Sequence, residues 1–161
     1  MTNHILRTFR LDLMLAELLV KDLTAEQMTQ QPHSLINHPA WSLGHLINSA
    51  HGVFQLLGME SNLPEGWSDK FKAGAPPNPD PAQYPSKEEL LEEFRSCHDR
   101  MSQALPDISP ETLAQEHPNE RTRPYFPTIG DHVVYIMTAH EMDHLGQVAA
   151  WRRAMGLGPA K

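Results

Sequence analysis

The chain has 161 residues and a formal net charge of −7, with 40% hydrophobic and 20% charged residues, which indicates one globular domain over residues 1–161. The negative charge argues against a nucleic-acid surface, because phosphate binding needs clustered lysine and arginine. No signal peptide or membrane-spanning run is visible, and the single Cys97 excludes an internal disulfide and a cysteine zinc cluster, so we expect a cytoplasmic protein without a membrane partner.

Helical periodicity predicts a first helix over residues 3–21, where apolar side chains recur every three or four positions. Thr24 opens a capping-box sequence, which indicates a short helical turn. Pro39 suits the first turn of a second helix, which is predicted to reach Leu57 and to end at Gly58. This second helix is apolar nearly all round, which indicates deep burial.

Two further helices are predicted in the second half of the chain. The third begins with a capping box at Ser86 and carries Cys97 on its apolar stripe, where the thiol is expected to pack as a small hydrophobic group and not to act as a nucleophile. The fourth begins near Thr128 and ends at Gly156. The four helices together predict an all-α fold, a four-helix bundle.

The connection between the second and third helices, residues 59–86, contains six prolines and is far longer than the usual bundle connection of about 2–8 residues. A connection of this length lets the chain cross the bundle, so that the second and third helices run parallel. Trp67, Phe71 and Tyr84 supply apolar anchors, and we expect the segment to border a metal site or a dimer interface. The alternative is an ordered proline-rich wrap that the same anchors hold to the bundle.

The sharpest local pattern is HEMDH at residues 140–144. His140 and His144 lie about 40° apart around a helix and about 6 Å apart along it, so both rings can reach one metal ion. The letters also fit H-E-x-x-H, in which the glutamate of a metalloprotease is the general base. Both histidines fall on the apolar stripe, where an unsatisfied polar group costs about 1–3 kcal/mol. The alternative is a pair of core histidines bonded to neighbouring polar groups.

A third ligand has to come from another helix, because no His, Asp or Glu follows His144. The candidates are His4, His45, His51 and His98. His45 and His51 differ by about 120° in helical phase, so they cannot both face one ion. We prefer His45, since His51 is expected to lie toward a more solvated side of the second helix.

Two stretches of the chain carry a recognisable family pattern. Residues 38–46 read HPAWSLGHL, and residues 140–147 read HEMDHLGQ. The first is similar to the W-x-x-x-H-L signature of the DinB/YfiT-like superfamily, and the second resembles that family's closing H-x-x-x-H-x-G-Q helix. The resemblance implies a four-helix bundle in which His45, His140 and His144 bind a divalent metal. Related proteins include thiol-dependent transferases and isomerases, domains of sulfoxide-forming enzymes, and members with no known reaction.

Three neutral imidazoles leave at least one position on a metal ion open, as in catalytic zinc sites. The first hypothesis is therefore a metal-dependent transferase or hydrolase that acts on a small molecule. The metal would be zinc or nickel, or otherwise iron or manganese. If the protein is one of the thiol-dependent members of the family, it would also use an external low-molecular-weight thiol. The alternative is a non-catalytic bundle in which the metal stabilises the fold or a homodimer.

No catalytic residue is assigned from the sequence. Glu141 is a candidate general base by analogy with H-E-x-x-H proteases, but helix geometry favours a supporting or structural role, because the third ligand comes from another helix. Asp143 lies further round the same helix and is expected to meet solvent or one of the arginines Arg152 and Arg153.

Overall fold

The computed structural model describes residues 2–32 and 37–160, and these residues are arranged in helices and connecting loops. The α-helices are α1 (Thr2–Val20), α2 (Ala25–Thr29), α3 (Pro39–Leu56), α4 (Trp67–Phe71), α5 (Lys87–Ala104), α6 (Pro110–Leu113), α7 (Ile129–Tyr135) and α8 (Glu141–Ala154). A π-helical turn, Ile136–His140, joins α7 to α8. Within the described ranges there is no β-strand, and no helix has the length and apolarity needed to cross a membrane. The all-helical class predicted from the sequence is confirmed.

Local capping chemistry sets the helix boundaries where the sequence predicted them. Thr24, Ser86 and Thr128 each form a complete capping box, in which the hydroxyl accepts from a backbone N–H of the first turn. Gly58 and Gly156 follow the C-terminal ends of α3 and α8 with φ angles of 70° and 71°, a conformation that glycine adopts at little cost.

The four long helical segments contact one another around a shared core. Helix α3 packs against α5 and α8, and α1 packs against the same two helices. The largest fully buried apolar side chains of this core are Leu43, Leu46, Ile47, Phe54, Phe71, Leu90, Phe94, Met137, Leu145 and Trp151. Each contributes about 1.5–3 kcal/mol by leaving water. Because α5 and α8 cover two sides of α3, that helix can be apolar nearly all round.

A buried arginine ties the end of α8 to the end of α1. The Arg152 side chain is 2% exposed and donates to the Leu19 carbonyl at 2.8 Å and to both carboxylate oxygens of Asp22 at 2.5 and 2.9 Å. Its guanidinium lowers the pKa of Asp22 to about 2. Asp143 was expected to meet solvent or an arginine; it is exposed to solvent, and its carboxylate accepts from Gln147 at 3.0 Å.

The long proline-containing connection is held to the bundle by the helix α4. Trp67 and Phe71 are buried, and the Trp67 indole donates to the Gly44 carbonyl of α3 at 3.2 Å. The Phe71 ring lies where a Cβ on Gly44 would be, so α4 can approach α3 only because that position is glycine. Tyr84 is partly buried beside Phe71, with ring centroids 5.7 Å apart. The three predicted anchors therefore do pack against the bundle.

A histidine begins α3 and joins it to the same connection. The Nδ1 atom of His38 accepts from the Trp41 backbone N–H at 3.1 Å, which caps the helix. Its Nε2–H must therefore be the proton that is donated to the Asn78 carbonyl at 3.0 Å. Burial lowers the pKa of His38 to about 4, so the ring is neutral near pH 7.

Candidate metal centre

Three histidines from two parts of the fold meet at one point. His45 lies in α3, His140 is the last residue of the π-helical turn, and His144 lies one turn into α8. One ring nitrogen from each lies within 4.8 Å of the other two. Among all the candidates named from the sequence, these are the histidines that the structure brings together.

The spacing of the nitrogens suits two ligands of one ion. The Nε2 atoms of His45 and His140 are 3.2 Å apart. Two imidazole nitrogens that bind one ion at about 2.0–2.1 Å lie about 2.8–3.4 Å apart, from octahedral to tetrahedral angles. The ring centroids of His45 and His144 are 4.6 Å apart, so the His144 ring lies at least as close to His45 as the His140 ring does.

The orientation of His45 is fixed by two neighbours. Its Nδ1–H donates to the Phe71 carbonyl at 2.6 Å, which leaves the lone pair on Nε2. The Trp41 indole stacks on the ring with centroids 4.9 Å apart and planes 6° apart. Metal-binding histidines usually donate their second ring N–H to such an acceptor. Phe71 belongs to the connection over residues 59–86, which was predicted to border the site. This connection therefore orients His45 through the Phe71 carbonyl.

The other two rings carry buried nitrogens without protein partners. Among the described residues, the Nδ1 atoms of His140 and His144 have no hydrogen-bond partner. Burial, together with the neighbouring histidines, lowers the pKa of His140 to about 3 and that of His144 to about 4. Burial also lowers the pKa of His45. Three neutral imidazoles, each with one ring nitrogen within 4.8 Å of the other two, form a donor set that could hold a divalent metal.

The sequence around the site also matches a known family. The family model of the DinB superfamily matches residues 8–148, which include the three histidines. The chain belongs to the DinB superfamily. No curated protein and no solved structure gives a significant match to it.

The π-helical turn is a feature of this DinB chain that the sequence pattern did not reveal. It contains one residue more per turn than an α-helix, so it changes the phase of α7 relative to α8. The Thr138 hydroxyl donates back to the Val134 carbonyl at 2.6 Å within this stretch. The turn ends at His140, and π-helical turns are often found at functional sites.

Glu141 faces a different neighbour from the two histidines that flank it. Its side chain is 2% exposed, and its carboxylate lies 3.2 Å from Nε2 of His98 in α5. Burial raises the pKa of Glu141 well above its usual value. The pKa of Asp12 in α1 is raised to about 7, first by burial and then by the neighbouring Glu141 carboxylate. These three side chains form a buried polar cluster between α1, α5 and α8. Helical periodicity could have indicated this cluster, because Asp12 lies three residues after Phe9 on the apolar stripe of α1.

The remaining histidine candidates lie elsewhere. His4 is exposed on α1, and His98 stacks on Phe9 with ring centroids 3.7 Å apart. The expectation that His51 lies toward solvent is wrong, because its side chain is 2% exposed. The phase argument placed it away from His45, but α5 covers that side of α3 as well.

Proposed function

We propose that this DinB protein is a metal-dependent enzyme that acts on a small molecule through one divalent ion held by His45, His140 and His144. The observation that carries the proposal is the meeting of three neutral ring nitrogens within 4.8 Å. Within the described residues no fourth His, Cys, Asp or Glu joins this group, which favours an open position over a closed structural site. Zinc or nickel suits three imidazoles best, and iron or manganese is the next choice.

The chain's own residues orient and shield the site. The Phe71 carbonyl fixes the tautomer of His45, and the Trp41 indole covers one face of its ring. Tyr135 lies beside His140 with ring centroids 5.5 Å apart and is 37% exposed, so it offers an apolar surface next to the site. When bound, a divalent ion in such a centre supplies Lewis acidity that lowers the pKa of a water or thiol.

The proposed reaction is transfer to or from a low-molecular-weight thiol, or hydrolysis. Cys97 is a poor candidate for the nucleophile, because it is buried in α5 and burial raises the pKa of its thiol. An external thiol or water is therefore the reactant that the metal would activate.

The arrangement that would support this chemistry is a four-helix bundle with residues 59–86 as a crossover between α3 and α5. The contacts of α1 and α3 with α5 and α8 support this topology.

The protein is further proposed to form a homodimer. An exposed apolar stripe on α1, with Leu11 59%, Met14 64% and Leu18 36% exposed, supports self-association. Light scattering of wild type and Met14→Glu tests it, and a monomeric wild type would contradict it.

The metal proposal is tested with protein purified without a histidine tag, reloaded with zinc and measured by elemental analysis. We expect His140→Ala to lose one equivalent of zinc relative to wild type, and His117→Ala to lose none. The loaded protein is then assayed for consumption of a low-molecular-weight thiol with a panel of electrophiles. Equal zinc content in wild type and His140→Ala would overturn the site, and absence of turnover with zinc bound would support the non-catalytic alternative.

A further inference from the structure

A second group of side chains that could hold a metal ion lies about 120° around α3 from His45. It consists of His51 in α3 with Glu93 and Cys97 in α5, and one ligand atom from each lies within 4.8 Å of the others. The Nε2 atom of His51 is 3.0 Å from Oε1 of Glu93, and Sγ of Cys97 is 3.8 Å from the same oxygen. His51 and Cys97 are buried, whereas the Glu93 side chain is 38% exposed.

The two histidines of α3 are oriented in the same way. Nδ1 of His45 is bonded to the Phe71 carbonyl, and Nδ1 of His51 lies 3.0 Å from the Ser61 hydroxyl. Both partners belong to the connection between α3 and α5. In each case the Nε2 atom is the one directed at the other members of its group. A group that is hydrogen-bonded to the second ring nitrogen orients metal-binding histidines in this way, and the Ser61 hydroxyl can accept that bond once a metal is bound.

We propose that His51 Nε2, the Glu93 carboxylate and Cys97 Sγ form a second metal site, which binds zinc or an ion of similar softness. One imidazole, one thiolate and one carboxylate are all zinc ligands, at about 2.0–2.3 Å. At tetrahedral angles such ligands lie about 3.3–3.6 Å from one another. The observed separations of 3.0 and 3.8 Å differ from those values by a few tenths of an ångström, and the third pair of ligand atoms lies within 4.8 Å, so side-chain rotations would close the group around an ion.

The proton changes on binding are defined by the contacts. Without metal, Nε2–H of His51 donates to Glu93, Nδ1 accepts from Ser61, and the Cys97 thiol donates to Glu93. With metal, the proton of His51 moves to Nδ1 and is donated to the Ser61 oxygen, which can serve as donor or acceptor. The Cys97 thiol loses its proton to solvent, so binding releases one proton per chain.

The group is open to solvent through Glu93. The Glu93 side chain is 38% exposed, so an ion can approach along it and keep water on a remaining coordination position. His51 and Ser61 line a separate cavity of about 340 Å³, which lies on the Nδ1 side of the His51 ring. The proposal does not depend on the DinB histidines, because the two groups share no residue.

The test uses cobalt(II) as a probe, because a cobalt–thiolate bond gives a charge-transfer band in the near ultraviolet and imidazole ligands do not. His45→Ala first removes the other site. We expect this variant to bind one cobalt ion per chain with that band and with release of one proton into a weakly buffered solution. Cys97→Ser in the same background should lose the band and the released proton, and should bind at least tenfold more weakly.

Glu93→Gln is the second variant, because its side chain is partly exposed and the amide can still accept from His51. It should keep the thermal stability of the parent and bind cobalt at least tenfold more weakly. Asp99→Asn on the exposed face of α5 is the matched control and should bind as the parent does. Absence of a thiolate band in His45→Ala, or equal cobalt affinity in Glu93→Gln and its parent, would overturn the proposal and leave a hydrogen-bonded network without metal.

Discussion

Gly44 lies in α3 at the point where the Phe71 ring crosses the helix. An alanine there would place its Cβ within the van der Waals radius of three ring carbons, so the ring would have to move by about 1 Å or more. Overpacking of this kind costs about 1–3 kcal/mol, and the better helix propensity of alanine returns about 1 kcal/mol. We therefore expect a net loss of up to about 2 kcal/mol in the free energy of unfolding.

Movement of the Phe71 ring is also expected to weaken zinc binding at the metal centre. Phe71 also supplies the carbonyl that accepts from Nδ1 of His45 at 2.6 Å, so displacing α4 disturbs the orientation of that ring. Loss of such a supporting hydrogen bond lowers metal affinity about 10–100-fold. Gly44→Ala should therefore bind zinc at the three-histidine site more weakly by that factor.

The assay combines urea unfolding with a competitive zinc titration. Gly52→Ala is the control, because it lies in the same helix and a Cβ there meets nothing within 4 Å. It should gain about 0.5–1 kcal/mol from helix propensity and keep its affinity for zinc at the His45 site. The reasoning is refuted if Gly44→Ala is as stable as Gly52→Ala, or if its zinc affinity equals that of wild type.

Three further predictions concern buried polar groups. Arg152→Met removes a buried guanidinium bonded to Asp22 and should cost about 2–4 kcal/mol by urea unfolding, whereas exposed Arg153→Met should change stability by less than about 0.5 kcal/mol. Burial lowers the pKa of His38 from 6.5 to about 4, so the unfolded chain takes up the proton first as pH falls. The stability that His38 contributes is full above pH 6.5 and should be lost by up to about 3 kcal/mol toward pH 4, and His38→Asn should flatten that part of the pH profile. Glu141→Gln imitates the protonated carboxyl that burial favours, so the melting temperature and zinc content should match wild type. Once a substrate is known, unchanged turnover in Glu141→Gln would support a structural role for Glu141. Loss of turnover with zinc still bound would show that Glu141 is the general base.

Local sequence chemistry predicted much of the helical framework. The capping boxes at Thr24, Ser86 and Thr128 and the glycines after α3 and α8 act within a few residues, so their effect can be read from the sequence alone. The closeness of His140 and His144 was predictable for the same reason, since one helical turn fixes it. The role of these residues as metal ligands stays a prediction.

What depends on packing between helices was less predictable. Helical phase separated His45 from His51 correctly, but it could not show that α5 buries His51 on the far side of α3. Nor could it show the π-helical turn, because no residue type marks that turn in the sequence. The contact between the Phe71 carbonyl and His45 joins residues 26 positions apart through a loop, and periodicity carries no information about such a contact.

The central claim is most directly tested by anomalous diffraction from crystals of the zinc-loaded protein, grown without a histidine tag. We expect an anomalous peak at about 2.0–2.3 Å from one ring nitrogen each of His45, His140 and His144. We also expect Nδ1 of His45 to remain bonded to the Phe71 carbonyl. A zinc-loaded crystal with no peak between these three rings, or with His45 turned away from the other two, would show that the three histidines do not form a metal site.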